Sequence, residues 1–343
     1  MHTELPLPPY FESSKVAEVW RVPYQERARQ AARWRREYGV KPASKDKFQV
    51  SLMLVDVQNT FCIPDYELFV AGQSGKGAVE DNRRLCAFIY KSLPWLTQIC
   101  PTMDTHQPMQ IFHSIFLVDK KGEHPAPATL VSVDDIRNGK WLFNKELCDT
   151  LEIDKKYGQN FLRHYVTKLY EHGKYELMVW PYHAMLGGIG HALVASVEEA
   201  VFFHGIARYS QPDYQMKGNN PLTENYSVLS PEVLEDHEGN AIAYRNTSFV
   251  QKLLQFDAVV IAGQAKSHCV ASTIDDLLKV IQTADMKLAE RVYLLEDCMS
   301  PVVIPGIIDT TEAANAAFDR FADAGMNIVQ STTPIYDWPG MQL

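Results

Sequence analysis

Long apolar runs are absent from this sequence of 343 residues. A membrane-spanning helix needs about 18 or more consecutive apolar residues, and no stretch of the chain supplies them. The first residues also lack the basic start and the apolar stretch of a secretory signal peptide. These absences predict a cytoplasmic protein that has no membrane partner.

Cysteine is scarce as well. The chain has six cysteines, which are Cys62, Cys86, Cys100, Cys148, Cys269 and Cys298. So few cysteines at such irregular spacing exclude a disulfide framework and argue against a zinc site made of paired cysteines. They are typical of a reducing cytoplasm, where a single thiol is able to act as a nucleophile.

An excess of positive charge is also missing. The chain has 33 Lys and Arg against 42 Asp and Glu, a formal net charge of −9, so it would repel a nucleic acid backbone. Residues 1–50 are an exception, with ten basic and six acidic side chains. We interpret residues 1–47 as a separate arm that contains a helical stretch broken near Pro23. Such a basic segment is more often a solvated helix face or a packing element between subunits than a nucleic-acid site.

Hydrophobic residues make up 46% of the chain, enough for a large buried core. Residues 48–56 form a short apolar run of the kind that is buried on both faces of a parallel sheet. Similar runs predict strands at 96–101, 175–180, 256–262 and 291–295, and an edge strand at 326–330.

Helical patterns separate most of these strands. They cover residues 191–206, 246–255, 269–281 and 311–324, and Gly325 marks the end of the last one. Strands that alternate with helices of this length predict an α/β fold, with a doubly wound, mostly parallel sheet and helices on both faces. Residues 114–174 and 208–245 are polar and rich in turn residues, and we interpret them as insertions in a domain of residues 48–343 that cap the sheet rather than extend it.

Polar residues at the carboxyl ends of the strands are the candidates for chemistry, because ligands bind at that edge of a doubly wound sheet. Cys269 lies between a predicted strand and a predicted helix, where the helix N-terminus would favour a reactive thiolate. The alternative, a buried and inert thiol, is our interpretation of Cys86, Cys100, Cys148 and Cys298. Asp56 ends the first strand and is either a proton-transfer group or a turn residue.

A metal site is the second candidate. Asp104 and His106 lie on one side of an extended segment, and His183 follows a later strand. One carboxylate and two imidazoles suit a first-row divalent ion, although single histidines are more often simply packed or solvated. His113 is a further candidate, either as a ligand or as a partner of one.

Taken in order, these segments resemble the cysteine hydrolase superfamily that includes nicotinamidases and isochorismatases, over about residues 48–331 without the insertions. Residues 55–61, Val-Asp-Val-Gln-Asn-Thr-Phe, resemble its D-x-Q-x-x-F segment, and Lys217-Gly218 resembles its K-G segment. Residues 263–270 resemble its G-x-A-x-x-x-C-V turn. The resemblance implies a catalytic triad of Asp56, Lys217 and Cys269. It also implies an oxyanion hole formed by the N–H groups of Ala265 and Cys269.

Two further segments resemble nicotinamidases in particular. Residues 102–106, Thr-Met-Asp-Thr-His, are similar to their T-x-D-x-H segment, and residues 180–183, Trp-Pro-Tyr-His, are similar to their W-P-x-H segment. This resemblance implies Asp104, His106 and His183 as metal ligands, with Zn²⁺ expected and Fe²⁺ or Mn²⁺ as alternatives. It implies that Phe61 and Trp180 bind the substrate ring.

The implied function is hydrolysis of nicotinamide, or of a closely similar small aromatic carboxamide, to the acid and ammonia through a thioester. An amidase of the same mechanism that acts on a ureido or maleamate-like substrate is one alternative. A catalytically idle relative that serves in binding or assembly through its N-terminal arm is another. The resemblance also implies a homo-oligomer.

Overall fold

The computed structural model of the protein describes residues 3–173, 176–304, 306 and 308–343. The chain forms two compact units. The first unit comprises the described residues up to Met103 together with Ala192–Gln215 and Thr247–Leu343, and the second comprises Asp104–His191 and Met216–Asn246.

The described strands are β1 Val50–Val55, β2 Gln98–Asp104, β3 Leu117–Val118, β4 Leu130–Val131, β5 Leu142–Phe143, β6 Leu177–Met178, β7 Gln215–Lys217, β8 Ala258–Gly263, β9 Val292–Leu295, β10 Val303–Ile304, β11 Ile308–Asp309 and β12 Asn327–Val329. The described α-helices are α1 Tyr24–Glu37, α2 Asn59–Cys62, α3 Gly77–Lys91, α4 Val133–Arg137, α5 Cys148–Leu151, α6 Lys155–His172, α7 Ala195–Arg208, α8 Thr247–Leu253, α9 Ala271–Ala284 and α10 Thr311–Asp323.

A six-stranded sheet has the order β12-β9-β8-β1-β2-β7. Strands β12, β9, β8 and β1, and all of β2 except Asp104, belong to the first unit. Strand β1 pairs in parallel with β2 and β8, and β9 pairs in parallel with β8 and β12. Every residue of β1 and β8 is buried, as expected for strands covered on both faces. The chain adds strands outward on one side of β1 and then returns to the other side, so the predicted doubly wound, mostly parallel α/β fold is confirmed.

Five of the six predicted strands are confirmed, each within three residues at either end. The core strand predicted at residues 175–180 is wrong. Residue 175 lies outside the described residues, and only Leu177–Met178 form a strand, which pairs antiparallel with β4 rather than joining the sheet. The exposed Glu176 interrupts the apolar run, so too few residues remain for a buried strand. The sheet is instead extended by β7, which lies in the segment that we interpreted as a capping insertion.

All four predicted helices of the first unit are present as α7, α8, α9 and α10, and Gly325 follows α10 with φ +97. Helix α1 begins at Tyr24, directly after Pro23, and it contacts α7. Arg27 of α1 and Glu199 of α7 form an ion pair of 2.5 Å, with both side chains largely buried. The arm therefore packs within the first unit, and its part in a homo-oligomer stays a prediction.

The second unit has a hydrophobic core of its own. Helix α6 is its longest helix among the described residues, and its buried residues Phe161, Leu162, Tyr165, Val166 and Leu169 recur with helical spacing. Asp154 caps its start by accepting from two backbone N–H groups, and Gly173 ends it with φ +65. The sequence analysis missed this helix because few apolar residues are spread along a polar stretch.

No described helix has the length and the apolar character of a membrane span.

All six cysteines lie among the described residues, and all are free thiols. Cys86, Cys100 and Cys298 are buried as predicted, and burial raises the pKa of the Cys100 thiol to about 11. Cys148 is only half-buried, so its predicted burial is wrong.

Candidate functional site

The residues that the sequence predicts for the site are divided between the two units. The first unit contains Asp56, Phe61, Ala265 and Cys269. The second unit contains Asp104, His106, His113, Trp180, His183 and Lys217.

Asp56 directly follows β1 and is fully buried. Its φ of +47 places it in the left-handed region, which aspartate adopts more readily than most non-glycine residues. Thr102 of β2 fixes its orientation, because the Thr102 hydroxyl donates to Asp56 Oδ1 at 2.6 Å and accepts from the Asp56 N–H at 3.0 Å. Asp56 is therefore a buried carboxylate with a defined orientation at the carboxyl end of a central strand.

The turn that carries Cys269, residues 263–270, will be called the thiol turn. It begins beside Asp56, since Val55 of β1 pairs with Gly263 of β8 and the Gln264 N–H donates to Val55 O at 2.8 Å. Gly263 has φ +122, and a Cβ there would lie 2.1 Å from Val55 O. Only glycine fits this approach. The chain adds later strands on one side of β1 and then on the other side, beginning with β8, so the strand order reverses between β1 and β8. Doubly wound folds bind ligands at such a point.

Cys269 lies in a π-helical turn, Lys266–Val270, directly before α9. The predicted place at the start of a helix is therefore confirmed, with α9 beginning at Ala271. The thiol residue is 9% exposed and Ala265 is 7% exposed. The peptide bond between Gln264 and Ala265 is cis. The N–H groups of His268 and Val270 both donate to Ala265 O, which closes the turn.

Two buried polar anchors, which the sequence analysis missed, hold the thiol turn. The Gln264 side chain donates to Asp81 of α3 at 2.8 Å, and Arg84 donates to the same carboxylate at 2.8 Å. Burial raises the pKa of Asp81 to about 6, although these hydrogen bonds oppose the shift. The Lys266 ammonium donates to Glu296 and Asn315 at 3.0 and 2.9 Å. A lysine inside the thiol-turn motif was the one signal that could have revealed the second anchor.

Replacing Lys266 with alanine should lower the free energy of unfolding by about 1–3 kcal/mol, because it removes two charge-assisted hydrogen bonds from a nearly buried ammonium. Urea denaturation measures the change. Lys279→Ala is the matched control, since Lys279 pairs with Asp276 at 2.8 Å but has a side chain that is 59% exposed. The control should change stability by less than about 0.5 kcal/mol. Equal effects of the two substitutions would contradict the anchoring role.

Phe61, the predicted ring-binding residue of the first unit, lies on the short helix α2. It is 9% exposed and belongs to the hydrophobic core cluster of that unit. Phe61 therefore follows Asp56 closely in the sequence, on the helix that comes after β1. Its contact with a substrate stays a prediction.

Three histidines of the second unit form a cluster, which will be called the histidine cluster: His106, His113 and His183. One potential ligand atom from each lies within 4.8 Å of the others, and all three residues are buried. Each ring bonds a backbone carbonyl through Nδ1: His106 to His183 O at 3.1 Å, His113 to Pro108 O at 3.0 Å, and His183 to Pro181 O at 2.7 Å. A carbonyl oxygen only accepts, so every Nδ1 carries a proton, and Nε2 is the nitrogen that each ring offers to a metal ion in its neutral form.

His113 belongs to this cluster as closely as the two predicted ligands do. Its Nε2 is buried and has no hydrogen-bond partner among the described residues. Burial lowers the pKa of His113 to about 3, so the ring is neutral, as a metal ligand must be. A buried orphan nitrogen that faces two other imidazoles fits a divalent metal ion better than it fits a packed core residue.

Asp104, the last residue of β2, adds a carboxylate to the histidine cluster. Its oxygens lie 3.0 Å from His106 Nε2 and 3.7 Å from His183 Nε2. Although burial raises its pKa, His106 and the Lys217 ammonium hold the pKa of Asp104 well below its usual range. One carboxylate and three imidazoles form a donor set that suits zinc and other first-row ions.

Lys217 is buried, so the alternative of a solvated surface lysine is excluded. Within the second unit its Nζ donates to Asp104 Oδ1 at 3.0 Å and to Asn225 O at 2.8 Å. The ion pair with Asp104 was not predicted from the sequence. The K-G segment requires glycine at position 218. Gly218 has φ +83, and a Cβ there would lie 2.8 Å from Asp104 Oδ1.

Trp180, the predicted ring-binding residue of the second unit, is partly buried beside the core of that unit. Its indole Nε1 donates to the Tyr226 hydroxyl at 3.0 Å. Tyr226 in turn donates to Glu224, which is 4% exposed. Burial raises the pKa of the Glu224 carboxyl to about 8. The sequence analysis missed Glu224, because one acid in a polar segment gives no sign that it is buried.

No family model matches the sequence, and no curated protein matches it. Solved structures do match. The yeast nicotinamidase Pnc1p is 18% identical with a TM-score of 0.50, over 82% of this chain and 99% of that chain. The yeast nicotinamidase bound to the inhibitor nicotinaldehyde is 17% identical with a TM-score of 0.50, over 82% and 100%. The Acinetobacter baumanii nicotinamidase pyrazinamidase is 17% identical with a TM-score of 0.47, over 84% and 99%. The two matches with a TM-score of 0.50 show that the chain has the isochorismatase-like α/β fold.

Proposed function

We propose that the protein is an amidohydrolase that converts nicotinamide, or a closely similar small aromatic carboxamide, to the acid and ammonia. The observation that carries this proposal is the strand register of the first unit, in which Val55 pairs with Gly263. Asp56 and the thiol turn therefore follow the ends of two adjacent central strands. A buried carboxylate and a thiol at one sheet edge are the proton-transfer group and the nucleophile that amide cleavage requires.

The reaction has two halves. Asp56 accepts the thiol proton of Cys269, and the thiolate attacks the carboxamide carbon. Asp56 then returns the proton to the leaving nitrogen, the C–N bond breaks, ammonia departs and a thioester remains. In the second half Asp56 takes a proton from water, which attacks the thioester, and the acid is released as Cys269 regains its proton.

Backbone N–H groups stabilise the charge that develops on the substrate oxygen. The proposed donors are those of Ala265 and Cys269, and each donor of this kind is typically worth about 2.7–4 kcal/mol of transition-state stabilisation. Lys217 is the proposed third member of the triad, where its ammonium would favour the anionic forms of the acid and the thiol.

A divalent ion would be held by Asp104, His106 and His183, with His113 Nε2 as a fourth donor. The proposed ion is Zn²⁺, with Fe²⁺ or Mn²⁺ as alternatives, and when bound it would polarise a ligand such as a ring nitrogen or a water. Phe61 and Trp180 are the proposed aromatic residues for the substrate ring, where stacking contributes about 0.5–1.5 kcal/mol beyond the area buried.

The test is ammonia release from a panel of amides by the purified protein. The panel contains nicotinamide, benzamide, a ureido compound and maleamate, and a coupled glutamate dehydrogenase assay measures ammonia. We expect turnover of nicotinamide and benzamide. Nicotinamide should be preferred, because its ring carries a nitrogen that the proposed metal ion would bind. Turnover confined to the ureido compound or to maleamate would replace the proposed substrate class. Absence of ammonia from all four would contradict the proposed activity and favour a binding or assembly role.

A further inference from the structure

Glu224 of the second unit lies in a hydrogen-bond network that the proposed mechanism does not use. Its Oε2 accepts from the Tyr165 hydroxyl at 2.9 Å, and its Oε1 accepts from the Tyr226 hydroxyl at 3.2 Å. Its backbone N–H donates to the Tyr165 oxygen at 2.9 Å. Tyr165 belongs to α6 and is fully buried, so both the side chain and the backbone of Glu224 are tied to a rigid core helix.

The network extends from Glu224 to Trp180. The Tyr226 hydroxyl has a single proton, which it donates to Glu224, and its oxygen accepts from Trp180 Nε1 at 3.0 Å. The hydrogen bonds therefore run in one direction, from the indole through the phenol to the carboxyl group. A carboxyl group that fixes the phenol proton also fixes the lone pair that the indole N–H meets.

The neighbouring residue connects the same segment to Lys217. The Asn225 carbonyl, between Glu224 and Tyr226, accepts from Lys217 Nζ at 2.8 Å. Residues 224–226, which will be called the acid segment, thus contact both a proposed triad member and, through Tyr226, a proposed ring-binding residue. A buried side chain that fixes this segment controls the placement of both.

We propose that Glu224 is a positioning residue, which orients the indole of Trp180 through Tyr226 and thereby sets the strength of substrate-ring binding. This inference rests on the proposed function, in which Trp180 contacts the ring of the substrate. The orientation matters because aromatic pairs are favourable in offset-stacked or edge-to-face arrangements and lose this gain in others.

The first readout is steady-state kinetics of ammonia release from nicotinamide. Tyr226→Phe should raise KM about tenfold and leave kcat within about twofold. The substitution removes the hydroxyl that joins Trp180 to Glu224, and the proposed role of Trp180 is in substrate binding rather than in the chemical step. Glu224→Ala should have a similar effect. Glu224→Gln keeps the shape and one oxygen acceptor, so it should retain KM within about threefold.

The second readout is ¹⁹F NMR of protein labelled with 5-fluorotryptophan, which reports on Trp180 whether or not the protein is an amidase. The Trp180 resonance is identified by its absence in Trp180→Phe. It should shift or broaden in Tyr226→Phe and in Glu224→Ala, and Glu224→Gln should restore most of the wild-type position. Tyr157→Phe is the matched control, since the Tyr157 hydroxyl donates at 2.8 Å to the buried Asp236 carboxylate of the same unit.

The two readouts separate this inference from the proposed function. A Trp180 resonance that moves in Tyr226→Phe and Glu224→Ala but not in Tyr157→Phe supports the positioning role. A resonance unchanged in both variants, or one that moves equally in the control, overturns it. An inactive wild-type protein would contradict the proposed function alone, because the ¹⁹F spectra still decide whether Glu224 orients Trp180.

Discussion

Cys269→Ala should abolish ammonia release from nicotinamide, with kcat/KM reduced by more than about a thousandfold. Alanine has no nucleophile to form the thioester, and the remaining donors of the thiol turn only assist a reaction with water. Single-turnover and steady-state assays of the purified variant measure the loss. Alanine removes only the sulfur atom from this position, which is 9% exposed, so thermal denaturation should show a fold that remains intact.

Cys148→Ala is the matched control for this experiment. Cys148 is also a free thiol, but it is half-buried at the start of α5 in the second unit. Its removal should leave kcat/KM within about twofold, since surface substitutions away from a site have small effects. Retained activity in Cys269→Ala, or an equal loss in Cys148→Ala, would remove the assignment of the nucleophile.

Asp104→Asn should lower the affinity for the divalent ion by more than about a hundredfold and raise KM for nicotinamide. Even partners that only support a ligand are worth about 10–100-fold in metal affinity, and Asp104 would supply a charged ligand atom itself. Asparagine keeps an oxygen acceptor for Lys217, so the change removes charge more than shape. Metal analysis after dialysis, followed by titration with Zn²⁺, measures the affinity.

His113→Ala decides whether the third imidazole is a ligand. We expect a drop in metal affinity of about 10–100-fold, because the Nε2 that faces the cluster is removed. His164→Ala is the control, since His164 belongs to the same unit but bonds Glu235 O through Nε2. Full metal content in His113→Ala after dialysis would show that His113 only packs beside the site.

Local sequence patterns predicted the central strands and several residues of the candidate site. The buried runs at β1 and β8, followed by Asp56 and by the thiol turn, could be read directly from the sequence, since strands buried on both faces are continuously apolar. The spacing in Asp104-Thr-His106 placed two polar groups on one side of an extended segment. Resemblance was needed for Lys217, whose polar surroundings are typical of a surface loop, although the residue is buried.

Contacts between distant segments could not be predicted in the same way. His113 joined the histidine cluster only when the chain brought it within reach of His106 and His183, with its Nδ1 held by Pro108 O. Lys266 and Asp81 anchor the thiol turn through partners that are remote in sequence.

The amino-acid sequence by itself determined five strands of the main sheet, four helices of the first unit and the residue types at the strand ends, because periodicity and polarity are properties of short segments. Tertiary structure alone decided which of those polar groups are buried, which nitrogen of each histidine is available, and that Glu224 is joined to Trp180 through Tyr226. Burial and hydrogen-bond direction arise from segments far apart in the chain, so no local pattern contains them.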